Sequence, residues 1–291
     1  MLKITYCISC ILFSCFFAYS CTDEPEDNLP EEKDSEISVM SFNIRTATSD
    51  DTGERSWDYR KEGCIVMIDS LCPDFIGMQE VRPVQKSFFD SNLSKYKSVG
   101  IARDGSGEST EYNPIYYKTD IFTLLESSTF WLSDTPDFMS KGWDGANYRI
   151  CTWAKFKINT TGQQIYYFNT HIDHAGATAQ KQGLLLIENK INEIAISQGD
   201  SVVFLTGDFN MTPTNQNIVD FKNSINNVRD QFTSSEYYST MTTNGWGTGG
   251  NIIDYVWYLN ATPLSYEVIN SPYDGVVYLS DHFPVLSNVS L

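Results

Sequence analysis

Short runs of strand-forming residues recur along this chain, and several close on a carboxylate, a carboxamide or an imidazole. Ile37 to Ile44 alternates and carries Asn43 near its end. Asp74 to Gln79 delivers Glu80, Gln164 to Ile172 passes through Asn169 and His171, and Ser201 to Thr206 runs into Gly207-Asp208. Period-two alternation marks a strand with one buried face, and a short apolar run marks a strand buried on both. Pro114 to Tyr117, Ile121 to Leu132, Arg149 to Ile158, Ile252 to Leu259 and Phe283 to Leu286 read as further strands. Helical spacing appears from Trp57 to Leu71, stopped by Pro73, and from Ala177 to Ser197. Strands dominate, helices are interspersed, and no long repeat recurs. The expected architecture is α/β: two mixed β-sheets packed face to face with helices on the outer faces, so that polar strand ends meet at one edge.

The N-terminus sets a compartment. Lys3 precedes an apolar run from Ile4 to Tyr19, too short for the roughly 20 residues of a spanning helix, so residues 1–20 read as a signal peptide. Ala18-Tyr19-Ser20-Cys21 resembles a loose bacterial lipoprotein cleavage box, with Tyr19 where a small residue is usual, making Cys21 the expected lipid anchor. Eight of the fifteen residues from Thr22 to Glu36 are acidic, too polar to bury surface, so residues 21–36 read as a solvated tether. An acidic stretch after the anchor also resembles an export address of lipoproteins carried to the outer membrane or surface of Gram-negative bacteria. The expectation is a cell-envelope protein with one domain, 37–291. Cys64, Cys72 and Cys151, the cysteines within that domain, form no disulfide framework, and Cys64 and Cys72 read as small buried hydrophobes. A net charge of -17 repels polyanions at long range, which disfavours stable nonspecific nucleic-acid binding and leaves nucleic acid as a substrate only.

All three histidines, His171, His174 and His282, sit beside carboxylates or carboxamides, in Asn169 to His174 and Ser280-Asp281-His282. Phosphate ester hydrolysis needs charge neutralised on the phosphoryl oxygens, a water activated and a leaving oxygen stabilised. Asn43 and Glu80 are hard oxygen donors of the kind that suits magnesium or manganese. Gly207-Asp208-Phe209-Asn210 follows an apolar strand and sets a carboxylate and a carboxamide two residues apart. His282 suits proton transfer near neutrality, and Asp281 either serves it or binds metal.

The motifs Ser-Phe-Asn43-Ile, Gln79-Glu80-Val, Asn169-Thr-His171, Gly-Asp208-Phe-Asn210, Ile253-Asp254-Tyr-Val and Ser-Asp281-His282 together resemble the endonuclease/exonuclease/phosphatase superfamily, in family order from about Ile37 to the end. The resemblance implies a four-layered α/β sandwich and a divalent cation, Mg2+ or Mn2+, held by Asn43 and Glu80 with Asp281. It implies that Asp208 orients or deprotonates water and that Asn210 holds the phosphate. It also implies that Asp254 or Asp281 orients His282, and that His171 stabilises the transition state or leaving group. Asn113, in Glu111-Tyr112-Asn113-Pro114-Ile115, and Arg149 are the further substrate-contact candidates. Asn251 and Ile252 stand where many members carry a basic residue before the aspartate.

The expected function is a metal-dependent phosphoesterase, acting on nucleic acid, a phospholipid head group or a phosphorylated glycan. Two competing readings are a catalytically silent lipoprotein that captures a phosphorylated ligand, and a zinc hydrolase built from His171, Asp173, His174 and His282.

Overall fold

A computed structural model describes residues 36–291, apart from 106 and 200. The expected signal peptide, Cys21 and all of the acidic tether except Glu36 lie outside the described residues. Glu36 itself opens the first strand.

Two mixed sheets make up the domain. The first contains β1 (Glu36–Asn43), β2 (Phe75–Gln79), β3 (Tyr96–Val99), β4 (Ile115–Lys118), β11 (Thr262–Pro263), β12 (Glu267–Val268) and β13 (Val285–Ser290). Its order is β11-β13-β1-β2-β4-β3, with β12 also on β13. The second contains β5 (Phe122–Trp131), β6 (Ile150–Ile158), β7 (Gln164–His171), β8 (Val202–Asp208), β9 (Asn226–Asn227) and β10 (Asp254–Leu259), in the order β5-β6-β7-β8-β10-β9. One pair in each sheet is parallel, β1 with β2 and β7 with β8, and each is joined by a crossover helix, α1 (Trp57–Leu71) or α3 (Ala177–Ile194). A parallel pair requires such a crossover. The remaining helices, α2 (Pro83–Asn92) and α4 (Gln216–Phe221), join the outer layers. The structure is therefore the two-sheet α/β sandwich expected from the sequence.

Strand parity sorts the core. Ile37, Val39, Phe75, Tyr167, Phe204 and Val256 point between the sheets. Their neighbours Met40, Phe42, Ile76 and Met78 pack under α1 and α2, and Phe168, Leu205 and Trp257 pack under α3 and α4. Successive side chains alternate faces, so the inner row of each strand reads as one series. Those series change from apolar to polar along the strand: Ile37-Val39-Ser41-Asn43, Phe75-Gly77-Gln79, Ile165-Tyr167-Asn169-His171 and Val202-Phe204-Thr206-Asp208. Antiparallel β10 runs the series backwards, from Asp254 to Val256 and Tyr258. One end of the inter-sheet layer is thus a dry core and the other a polar cleft.

A buried hydrogen-bond knot joins the sheets just below that cleft. Asn169 Oδ1 accepts from Gln79 Nε2 at 2.8 Å and from Thr206 Oγ1 at 3.1 Å, while Asn169 Nδ2 donates to the Met78 carbonyl at 2.7 Å and the Pro114 carbonyl at 2.9 Å. Every lone pair and proton of that carboxamide is used, as burial demands. Gly77 makes the knot possible, because a Cβ there would collide with Thr206 and Asn169.

Most boundaries shift by one or two residues from the sequence reading, and two shift further. The final strand begins at Val285 and extends to Ser290, and the long helix ends at Ile194, with a separate 3-10 turn at Ile196–Gln198.

Candidate active site

Seven of the candidate residues converge at the polar end. Asn43 closes β1, Glu80 follows β2, His171 closes β7, Asp208 closes β8 with Asn210 in the turn beyond, and Asp254 opens β10. His282 joins them from the segment before β13. Asn43 Nδ2 donates to both Glu80 Oε1 and Asp208 Oδ2 at 3.0 Å, linking the two sheets. Asp208 Oδ2 lies 3.3 Å from His171 Nε2 and 3.8 Å from His282 Nε2, so this carboxylate stands between two imidazoles. Asp254 Oδ2 meets His282 Nδ1 at 2.9 Å and accepts from Thr242 Oγ1 at 2.6 Å. Of the two aspartates considered for orienting His282, the geometry selects Asp254. Asp281 instead faces Arg45, 3.7 Å away.

Backbone geometry at these strand ends is unusual. Arg45, Glu80 and Asn210 all adopt left-handed conformations, at φ of 57°, 63° and 51°. Non-glycine residues reach this region at a cost and hold it where the surroundings impose it. For Asn210 the cost is offset locally: its backbone N–H donates to Asp208 Oδ1 at 2.9 Å, and its Nδ2 lies 3.0 Å from both His171 Nε2 and the Ile172 carbonyl. Glu80 is held by the Thr46 N–H at 2.9 Å. Beneath them the fully buried Arg60 of α1 donates to the Ile44 carbonyl at 2.8 Å and the Leu279 carbonyl at 2.6 Å, tying the end of β1 to the segment that carries Asp281 and His282.

Charge is crowded here. Asp254 sits directly across from Asp208 in the ladder, and like charges opposite one another repel. Burial, then that repulsion, pushes the Asp208 carboxyl up to about 7. Burial alone would strip the proton from His282, but Asp254, Asp208 and Asp281 override it and raise the imidazole to about 10. His171 is driven the other way, by burial first and then by Arg149 and Arg103, and stays neutral well below its ordinary value. Burial opposes the Glu80 charge, yet Asn43, His282, the Thr46 amide and Arg45 hold its carboxyl below the usual range. Two imidazoles flanking one carboxylate therefore rest in opposite protonation states, the divergence that separates an acid role from a base role.

Two metal-type groupings share Asp208: one with Glu80 and His171, the other with Asp254 and His282. Glu80 and Asp208 converge on the single Asn43 amide with carboxylate oxygens and the His171 ring close together, so the residues fit a hard divalent cation. The zinc set of His171, Asp173, His174 and His282 is not assembled. Each Asp173 oxygen already accepts two backbone N–H groups, from Ala146 and Asn147 on one side and Ala175 and Gly176 on the other. His174 is exposed and faces Arg149.

The cleft measures about 310 Å³ and is also lined by Arg45, Arg103, Glu111 and Arg149. Arg149 is at the cleft wall. Asn113 is not: it donates to the Ile150 carbonyl at 3.1 Å and does not line the cleft, one pleat deeper than Glu111, which does. Arg45, Arg103, Glu111 and the supporting Arg60 were not singled out from the sequence. The string Glu111-Tyr112-Asn113 marked the right segment, but it precedes β4 and no strand pattern there indicates which side chain reaches the cleft. A larger groove of about 530 Å³, on the outer face of the second sheet beside Trp153 and Lys155, gathers no comparable set of acids and imidazoles.

The sequence profile of the Endonuclease/Exonuclease/phosphatase family matches residues 40–282, and the chain belongs to that family. The crystal structure of an endonuclease/exonuclease/phosphatase from Bacteroides vulgatus is 31% identical and superposes with a TM-score of 0.78, over 88% of this chain and 99% of that one. A mannosyl-6-phosphatase from Bacteroides thetaiotaomicron is 30% identical with a TM-score of 0.79, over 88% of this chain and all (100%) of that one. An uncharacterised protein of Acanthamoeba polyphaga mimivirus is 26% identical over 258 residues, 79% of this chain and 91% of that one.

Proposed function

We propose that this chain is a metal-dependent phosphoesterase of the cell envelope whose substrate is a phosphorylated glycan. One observation carries the reading: the buried line Asp254–His282–Asp208–His171 opens onto a cleft whose other residues include three arginines. A chain that only captured a phosphate would have no use for a carboxylate held between two imidazoles in opposite states.

Asn43 and Glu80, with Asp281 beside them, would hold Mg2+ or Mn2+. When bound, the cation neutralises phosphoryl charge and lowers the pKa of water. Asp208 orients the attacking water. His282, fixed by Asp254, stands 3.8 Å from Asp208, beyond a direct hydrogen bond, so a proton passes between them through the water that Asp208 orients. The Asn210 amide holds a phosphoryl oxygen, and neutral His171 faces the same group. The glycan assignment rests on likeness to the mannosyl-6-phosphatase and on the net charge of -17, which turns away long polyanions. Attachment through a lipid on Cys21 is part of the same proposal, and loss of radiolabelled palmitate in Cys21→Ser tests it.

The decisive experiment incubates the purified protein with sugar phosphates, phospholipid head groups and oligonucleotides in Mg2+ or Mn2+. Sugar phosphates should turn over fastest, chelator should abolish turnover, and His282→Ala should lower it by about 10²–10⁴-fold. Tight ligand binding without hydrolysis of any ester would replace the enzyme with a binding lipoprotein.

A further inference from the structure

Arg149 presents an unusual account of donors. Its side chain is only 6% exposed, yet the guanidinium makes no strong hydrogen bond. Nε has no hydrogen-bond partner, one terminal nitrogen lies 3.4 Å from His174 Nδ1, and Asp173, the neighbouring carboxylate, stays 3.6 Å away. Asp173 balances the charge but cannot satisfy the donors, because four backbone N–H groups already occupy its oxygens. Arg103 is similar. It pairs with Glu111 at 2.5 Å through one nitrogen, while its buried Nε lacks a hydrogen-bond partner. Both arginines line the cleft with His174, their Nε atoms buried behind its wall, and both act on His171.

Burying guanidinium donors without acceptors is costly, and the partner that suits two forks at once is a planar set of anionic oxygens. Phosphate esters differ in how many they offer. A diester has two non-bridging oxygens sharing one charge. A terminal phosphoryl group has three, with close to two charges above its second pKa of about 6. The cation seat and the Asn210 amide provide for two oxygens, which leaves the arginine pair for a third.

We propose that Arg149 and Arg103, with His174 behind them, form the seat of that third, unesterified oxygen and so make the cleft selective for phosphomonoesters over phosphodiesters. This rests on the phosphoesterase reading of the same cleft and names the bond type that reading leaves open.

Calorimetric titration of inorganic phosphate and of dimethyl phosphate into the Mg2+-loaded protein at pH 8 tests the seat without requiring turnover. Phosphate should bind about ten- to a hundredfold tighter, and Arg149→Gln or Arg103→Gln should each shrink that preference by about tenfold. Equal binding of the two anions by the parent would overturn the proposal, as would an unchanged preference in a folded Arg149→Gln variant. Should Arg149→Gln not fold, Arg149→Lys keeps the charge and loses the fork, and the parent comparison still decides. In the accompanying assay, kcat/KM for p-nitrophenyl phosphate should fall about tenfold further in the variants than kcat/KM for bis-p-nitrophenyl phosphate. Absence of hydrolysis by the parent would sink the enzyme reading, while the anion titration would still report on the seat.

Discussion

The two halves of this molecule are built alike and equipped differently. In the first sheet β1, α1 and β2 make a parallel unit with β4 antiparallel beside it; in the second, β7, α3 and β8 do the same with β10. Corresponding strand ends carry Asn43 and Glu80 in one half, His171 and Asp208 in the other. Equivalent backbone positions thus supply hard oxygen donors from one side and proton-handling groups from the other. A single scaffold repeated face to face gives a cleft whose walls differ in chemistry, because side chains at strand ends change without disturbing the core below.

Removing one acid from each half should separate these roles most sharply. Asp208→Asn should lower kcat by about 10³-fold or more at any metal concentration, whereas Glu80→Gln should raise the Mg2+ concentration needed for half-maximal rate and recover much of its activity at high metal. Rate against metal concentration for both variants is the measurement, and equal recovery would erase the distinction between the halves. Asp254→Asn, which removes the charge behind His282 and opposite Asp208, should cost about 10²-fold in kcat with little change in KM. A smaller effect is expected where the halves touch: Gly77→Ala forces a Cβ into Asn169 and Thr206 and should destabilise by about 1–3 kcal/mol, read as a lowered Tm.

The mildest test uses pH. Both Asp208, at about 7, and His282, at about 10, hold protons more tightly in the fold than their reference values of about 3.9 and 6.5. A raised folded-state pKa stabilises fully below the unfolded value and ceases to do so as pH climbs through the folded one. The metal-free protein should therefore lose several degrees of Tm between pH 6 and pH 10, and Mg2+ should flatten that decline. A Tm that rises over this range would contradict the crowded-carboxylate account.

Much of this is legible in the sequence. Asn43, His171 and Asp208 were readable as polar residues at the ends of strands, but alternation gives only the face of a sheet, and the meeting of those ends at one edge came from the topology. Asp254 was readable from its motif, although its partnership with His282 was not, since sequence left Asp281 equally eligible. Adjacent residues face apart, which is why Asp281 turns to Arg45 while His282 turns to Asp254. Arg45, Arg103 and Glu111 lie outside regular strands, where no periodicity gives a side chain its direction. The helix α2 was missed despite Pro83 at its first turn, because ten residues with only Gln85 and Phe89 buried make too short a run to stand out. Strand β3 carries Lys97 and spans only four residues, too few to display a pattern.

The inner-row series also limits how this cleft can change. Because the pleat sends neighbours to opposite faces, deleting one residue between Val202 and Asp208 would rotate the aspartate toward α3 and α4 and bring Phe209 to its place at the opening. Exchange of side chains at the rim is open to this architecture, whereas a shift of frame within β8 would leave the substrate chamber without its central acid.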